Sequence, residues 1–157
     1  MLNVTNGDCA VARLRSAGVT GDILPWRDAL HEGPVGGAAE RARFIADRGW
    51  ASYDETLAML TARDERLARA IDDREDITLW FETDLYDVLQ LAQIADRLHR
   101  ARIVLVGVDE FRGVAELSDD EIRAARPEPF DPRSPAASTA ASARCCRGTA
   151  RRRSARS

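Results

Sequence analysis

The stretch DITLWFETDLYDVLQLAQIADRLHRARIVLVGV, residues 76–108, decides the fold. Short runs rich in apolar and β-favouring residues stand at both of its ends, at 76–81 and 102–108. Strands that do not alternate between polar and apolar residues are usually buried on both faces, as in a parallel sheet covered by helices. Between the runs, residues 84–100 carry a wide apolar arc at helical spacing. The stretch therefore predicts a strand, a crossover helix and a second strand.

The chain on either side continues this alternation. Residues 2–5 and 22–26 are two more short runs that predict strands. Capping-box patterns, in which Ser precedes Glu by three positions, mark the starts of two further helices at 52–55 and 118–121. The order β-α-β-α-α-β-α-β-α predicts an α/β fold, a three-layer Rossmann-like sandwich with a mostly parallel sheet of about four strands.

The amino-acid composition indicates a globular protein and argues against several other classes. Of 157 residues, 45% are hydrophobic and 31% are charged, which is typical of a soluble globular chain. No apolar run approaches the roughly 18 residues that a membrane helix needs, and no basic-then-apolar leader opens the chain. Cys9, Cys145 and Cys146 form neither a disulfide framework nor a zinc-type pair. We therefore expect a cytoplasmic protein without a membrane partner. All 23 basic residues are Arg, which excludes a lysine nucleophile.

Charge is distributed unevenly along the chain. Residues 1–126 carry 16 Arg and 24 acidic residues, a net charge of −8, whereas residues 127–157 carry 7 Arg and 2 acidic residues. The acidic body makes nucleic acid an unlikely partner, because phosphate contacts need positive charge. The Pro, Ala, Ser and Arg composition of residues 127–157 predicts a disordered low-complexity tail behind an α/β domain of residues 1–126. This tail is either a basic arm or, as we prefer, a non-structural end such as a shifted reading frame produces.

Polar residues and glycines follow each predicted strand. Ligands of parallel α/β sheets bind outside the carboxyl ends of the strands, so these residues mark the predicted site. The candidates after the first three strands are Asn6, Gly7, Asp8, Trp26, Arg27, Asp28, His31, Glu32, Gly33, Glu82, Asp84, Tyr86 and Asp87; Gly107, Asp109 and Glu110 follow the fourth.

The acidic residues after the third strand have two interpretations. Glu82, Asp84 and Asp87 could converge on Mg²⁺ or Mn²⁺, with Glu82 and Asp84 as the ligands, or work as a general acid and base, because neighbouring carboxyls separate one another's pKa values. Alternatively, Asp84 simply caps the following helix, whose first turn favours acidic residues.

The turns after the first two strands are also open to two interpretations. Asn6 or Asp8 could cap a helix, or residues 6–8 could present backbone N–H groups to an anion. If residues 27–31 form a helical turn, Arg27 and His31 share a face that suits a phosphate or carboxylate, with His31 as an acid or base. In the structural alternative, Trp26 lies in the core, Arg27 pairs with Asp28 or Glu82, and Gly33 serves a turn.

These same stretches resemble a bacterial family, domain-of-unknown-function family 1835. The family motifs h-x-T-N-G-D, G-D-x-L-x-W-R-D/E-x-L-x-x-G-P and L-W-F-E-x-D-x-Y-D-Q-x-x-L stand here as NVTNGD, GDILPWRDALHEGPV and LWFETDLYDVLQL. The chain departs from the family at Asn3, where a His is common, and at Val88, where a Gln is common. Family members commonly continue into a further helical region, so the resemblance, which ends near residue 126, implies a truncated or frame-shifted C-terminus. It implies no activity.

Together, these features predict a domain that binds a small phosphorylated or nucleotide-like anion at the carboxyl edge of the sheet. Arg27 and residues 6–8 would hold the anion, and Glu82, Asp84 and Asp87 would bind a divalent cation or transfer protons in a hydrolysis. Metal dependence is expected, because an anion among carboxylates needs a cation to offset repulsion. The alternative is a non-enzymatic regulatory or protein-binding domain in which Trp26 and Tyr86 are contact anchors.

Overall fold

The computed structural model describes residues 1–98, 101–106 and 113–130. Its elements are β1 (Leu2–Thr5), α1 (Asp8–Ser16), β2 (Asp22–Pro25), α2 (Ala38–Asp47), α3 (Tyr53–Asp72), β3 (Ile77–Glu82), α4 (Leu85–Ala95), β4 (Ala101–Val106), α5 (Asp119–Ala124) and β5 (Glu128–Phe130), with a short 3₁₀ turn at Val114–Glu116. The strands form one sheet in the order β2-β1-β3-β4-β5, in which β1 to β4 are parallel and β5 is antiparallel. The predicted three-layer α/β fold with a mostly parallel sheet is confirmed.

Helices cover both faces of the sheet, and both central strands, β1 and β3, are buried along nearly their whole length. On one face, Leu2 and Val4 of β1 and Leu79 and Phe81 of β3 pack in a fully buried core against α3 and α4. On the other face, Trp80 packs with side chains of α1, the 3₁₀ turn and α5. The apolar runs of the sequence thus have the burial that their lack of alternation predicts.

The strand order determines where a ligand would meet the sheet. From β1 the chain crosses to β2 on one side, and it later returns to β3 on the other side of β1. In doubly wound sheets of the order 2-1-3-4-5, the point where the direction reverses opens a crevice at the carboxyl ends of the first and third strands. Here those ends are Thr5 and Glu82, directly before the two polar turns.

The fifth strand differs from the sequence prediction. Glu128–Phe130 pairs with β4 inside the segment that was predicted to be a disordered tail, so the folded domain extends four residues past the predicted boundary. Pro129 has no N–H to donate and is tolerated because β5 lies at the edge of the sheet. Residues 131–157 lie outside the described residues.

Across the described ranges, which leave out residues 99–100, 107–112 and 131–157, no helix is both long and apolar enough to cross a membrane.

Candidate functional site

Asn6 joins the two polar turns at the crevice between β1 and β3. It follows the last residue of β1, and its amide Nδ2 donates to Oε1 of Glu82 at 3.3 Å and to both carboxylate oxygens of Asp87 at 3.1 and 3.2 Å. The main-chain N–H of Glu82 also donates to Asp87, at 2.6 Å. The structure therefore brings three predicted residues from β1, β3 and α4 into one hydrogen-bonded cluster, which we call the Asn6 cluster.

Asp87 lies at the buried centre of the Asn6 cluster, with 1% of its surface exposed. Burial, and to a smaller extent the negative charges of Glu82 and Asp84, raise the pKa of Asp87 to about 7. The hydrogen bonds from Glu82 N–H and from Asn6 act in the opposite direction, because they favour the ionised carboxylate. Asp87 therefore changes charge near neutral pH, although its burial prevents direct contact with a ligand.

The predicted metal site is not supported by this geometry. Within residues 1–98, 101–106 and 113–130, no three His, Cys, Asp or Glu side chains are placed to hold one metal ion. Asp84 caps α4 by accepting the N–H of Asp87 at 2.8 Å, and Oε1 of Glu82 accepts both Asn6 and the N–H of Val114, the latter at 2.8 Å. Because Oδ1 of Asp84 caps α4 and Oε1 of Glu82 accepts N–H groups of Asn6 and Val114, the described residues present no ligand set for Mg²⁺ or Mn²⁺, and we derive no metal-assisted step.

The first turn of α1 lacks a side-chain cap. Its N-cap residue is Gly7, in extended conformation, so neither Asn6 nor Asp8 performs the capping that one interpretation predicted. A Cβ atom on Gly7 would meet nothing within 4 Å, which leaves open space beside the helix N-terminus. Two residues before Gly7, Oγ1 of the fully buried Thr5 has no hydrogen-bond partner among the described residues.

Arg27 stands next to this helix N-terminus. Its Nε donates to both carboxylate oxygens of Asp8, the first residue of α1, at 3.0 and 3.1 Å. Arg27 therefore pairs with Asp8. The structural alternative, which predicted Asp28 or Glu82 as its partner, is wrong on this point. The backbone of Arg27 has a φ of 49°, in the left-handed region, and its N–H donates to the carbonyl of Asn6. Residues 27–31 consequently form no helical turn, and Arg27 and His31 share no helix face.

Two further candidates lie in the interior and not at the site. Trp26 has no exposed surface, its Nε1 donates to Gln93 at 2.7 Å, and the guanidinium of Arg63 covers its ring at 4.0 Å. Asp28 is buried between Arg41 and Arg63. The predicted ligand contacts of Trp26 and Asp28 are therefore not supported, and Trp26 cannot be a surface anchor, because both side chains are enclosed by protein.

Arg41 organises the loop between β2 and α2, and sequence reasoning missed it. This residue of α2 is 1% exposed, and its five N–H donors make five hydrogen bonds. Two go to Oδ1 of Asp28, and the others go to the carbonyls of Ala29, Glu32 and Pro34. The signal was present, since Arg41 precedes the buried Ile45 by four residues and so lies on the apolar face of its helix.

Gly33 closes the same loop, and its replacement gives a stability prediction. Its φ is +80°, and a Cβ would lie 2.7 Å from the ring of Phe44. We expect Gly33→Ala to lower the free energy of unfolding by about 1–3 kcal/mol, through backbone strain and the displaced ring. Gly37→Ala is the matched control, because Gly37 has a φ of −70° and open space around it. Urea unfolding of both variants checks this, and equal losses would contradict the role of Gly33.

His31 and Tyr86 form an aromatic pair outside the Asn6 cluster. Their ring centroids are 3.9 Å apart, Tyr86 is 51% exposed, and Nε2 of His31 lies 3.6 Å from Glu32. Since Tyr86 belongs to the first turn of α4, the pair flanks the site. No hydrogen bond joins His31 to the described residues of the cluster, and this leaves its predicted acid–base role without a geometric basis. The candidates Gly107, Asp109 and Glu110 lie outside the described residues.

Comparisons with known proteins add no identity to this geometry: no protein-family model and no curated protein sequence matches the chain.

Proposed function

We propose that this chain is a binding domain for a small phosphorylated or nucleotide-like ligand, held at the carboxyl edge of its sheet. The observation that carries the proposal is the uncapped N-terminus of α1, which opens beside Gly7 at the point where the strand order reverses. Backbone N–H groups and the positive end of the helix dipole suit a phosphate group. The unpartnered Oγ1 of Thr5 and the adjacent Arg27 support the same location.

The other half of the site suits a different part of such a ligand. Glu82 and Asp84 are partly exposed acceptors across the crevice from α1, and carboxylates accept hydrogen bonds from sugar hydroxyl or base amino groups. Phosphate would be repelled there, so the ligand is oriented with its phosphate at Gly7 and its donor groups toward Glu82. Asp87 acts through Asn6 and through its charge, because it is too buried to touch the ligand.

The resemblance to family 1835 and a cytoplasmic location are part of this proposal. The three motifs that resemble family 1835 supply Asn6, Gly7, Arg27 and Glu82, so the proposed site is the part of the chain in which the resemblance is concentrated. A cytoplasmic location would give the domain access to phosphorylated metabolites, and the cysteine pattern fits that reducing compartment.

The test is a substitution that stabilises α1 and at the same time blocks the proposed anion site at its N-terminus. In Gly7→Asp, the new carboxylate should cap α1, raise stability by a few tenths of a kcal/mol and repel phosphate. Wild-type protein should gain about 2.7 kcal/mol of stability at a ligand concentration of 100 times Kd, and Gly7→Asp should gain nothing. The probes are inorganic phosphate, AMP and ribose 5-phosphate, with adenosine and ribose as phosphate-free counterparts, each in EDTA and in Mg²⁺.

Gly37→Asp is the matched control, because Gly37 is the uncapped N-cap of α2 and has equally open surroundings. It should keep the full ligand response. The proposal is wrong if no phosphorylated probe stabilises the wild type, or if Gly37→Asp loses as much of the response as Gly7→Asp.

A further inference from the structure

The outer edge of β2 is open in the part of the chain that the structure describes. β2 pairs with β1 on one side, and no described strand lies on its other side. There, α1 and α3 flank the edge from opposite faces of the sheet and leave two adjoining cavities of about 420 and 280 Å³. Both cavities are lined by Arg15, Ile23 and Leu24, and we call the two together the β2 groove.

Backbone groups of β2 face this groove. The N–H groups of Asp22 and Trp26 both donate toward β1, to the carbonyls of Met1 and Thr5. Successive residues of a strand present their N–H and C=O groups to alternate sides, so Ile23 directs both of its groups into the groove. Pro25 adds a carbonyl there but has no N–H. The edge can therefore exchange two hydrogen bonds at Ile23 and accept one more at Pro25.

The lining of the groove carries more arginines than carboxylates. Four arginines line the two cavities, Arg15, Arg27, Arg63 and Arg66, against two carboxylates, Asp8 and Asp22. Arg27 pairs with Asp8, Arg66 pairs with Asp22 and Glu75, and the buried Arg63 pairs with Asp28 and Asp64. Arg15 is exposed and makes no ion pair with any described residue. Arg15 is therefore the arginine of the lining that is free to meet an acidic group, beside the open backbone groups of Ile23.

We propose that the β2 groove binds an extended acidic segment of a partner protein, which adds to the sheet as a strand beside β2. In strand addition, main-chain hydrogen bonds supply affinity, and pockets for alternate side chains supply specificity. Side chains of the added strand point alternately toward α1 and α3, so an acidic residue on the α1 side meets Arg15. Val11 and Met59 line the same walls and suit apolar residues between them.

The dimensions favour an extended chain over a compact anion. The groove runs along the four residues of β2, about 13 Å at 3.3 Å per residue, and arginines line both of its cavities. A single phosphate would engage one end only and leave the groups of Ile23 unpaired. This inference does not rest on the ligand proposed at Gly7, which lies at the carboxyl end of β1.

The experiment uses a labelled acetyl-Val-Glu-Val-Glu-Val-Glu-amide peptide and the full chain, with binding followed by fluorescence anisotropy. We expect saturable binding that weakens with salt, and no binding of the counterpart with Gln in place of Glu. A peptide N-methylated at alternate residues should also fail, because it cannot donate to the edge. The charge-reversing substitution Arg15→Glu should weaken binding about 10-fold.

Arg69→Glu is the matched control, because Arg69 is likewise an exposed arginine in the last turn of its helix, away from the groove. Its affinity should stay within about 2-fold of the wild type. Binding of the N-methylated peptide at equal affinity, competition by inorganic phosphate alone, or equal effects of Arg15→Glu and Arg69→Glu would each overturn the proposal.

Discussion

Between pH 4 and pH 8, the wild-type protein is expected to lose up to about 4 kcal/mol more unfolding free energy than the Asp87→Asn variant. The pKa of Asp87 is about 7 in the folded protein, against 3.8 for an unperturbed carboxyl. Below pH 3.8 the group is protonated in both states, and its stabilising effect is fully present. As pH rises toward 7, only the folded state retains the proton, so stability falls with pH. The amide that replaces the carboxyl in the variant has no proton to lose in this range.

Urea unfolding at half-unit pH intervals measures this difference. Asp76→Asn is the control, because Asp76 is an exposed carboxyl before β3, and its curve should follow that of the wild type. Parallel curves for wild type and Asp87→Asn would show that Asp87 titrates normally.

If the proposed function is correct, phosphate binding should also weaken as pH rises through about 7, since Asp87 then adds negative charge to the Asn6 cluster.

The second large effect is expected at Arg41. Replacing it with Met should lower the free energy of unfolding by about 3–5 kcal/mol, because the buried Asp28 would keep, among the described residues, only Arg63, 3.5 Å away, as its charge partner. The double variant Arg41→Met, Asp28→Asn should be more stable than Arg41→Met alone, since no uncompensated charge remains buried. Arg43→Met is the comparison on the same helix: Arg43 is exposed, and its guanidinium lies over the Tyr53 ring.

Thermal and urea unfolding of the wild type, Arg41→Met, Asp28→Asn and the double variant gives the coupling between Arg41 and Asp28, with Arg43→Met measured beside them. We expect Arg43→Met to cost no more than about 1 kcal/mol. If the double variant is no more stable than Arg41→Met, the loop does not depend on this ion pair and the assignment of Arg41 fails.

Much of the fold was predictable because it depends on local patterns. The apolar runs that form β3 and β4 do not alternate with polar residues, and the helix between them has a continuous apolar arc. These two patterns were enough to predict a parallel sheet. Strand order was not predictable, since the pairing of β1 with both β2 and β3 joins residues far apart in the chain. β5 was missed because three residues that include Pro129, set among Pro and Ala, carry no strand pattern of their own.

The candidate site was predictable in position but not in its roles. Parallel strands bring their carboxyl ends to one edge, which is why Asn6, Glu82 and Asp87 meet. Whether an acidic residue caps a helix, accepts an amide or binds a metal depends on distances that no local pattern contains. For the same reason Asp28 seemed to be a site residue, whereas its partner Arg41 lies 13 positions away on another element.

The hydrogen bonds of Arg41 also bear on how freely this loop can be redesigned. Three of its five hydrogen bonds go to main-chain carbonyls, at Ala29, Glu32 and Pro34, and a carbonyl is present whatever side chain a residue carries. The course of the loop is thus encoded mainly in α2, and positions such as Ala29 and Glu32 can exchange side chains without losing it. A library that randomises those positions while keeping Asp28, Gly33 and Arg41 should consequently yield mostly folded proteins, with new chemistry displayed on an unchanged backbone.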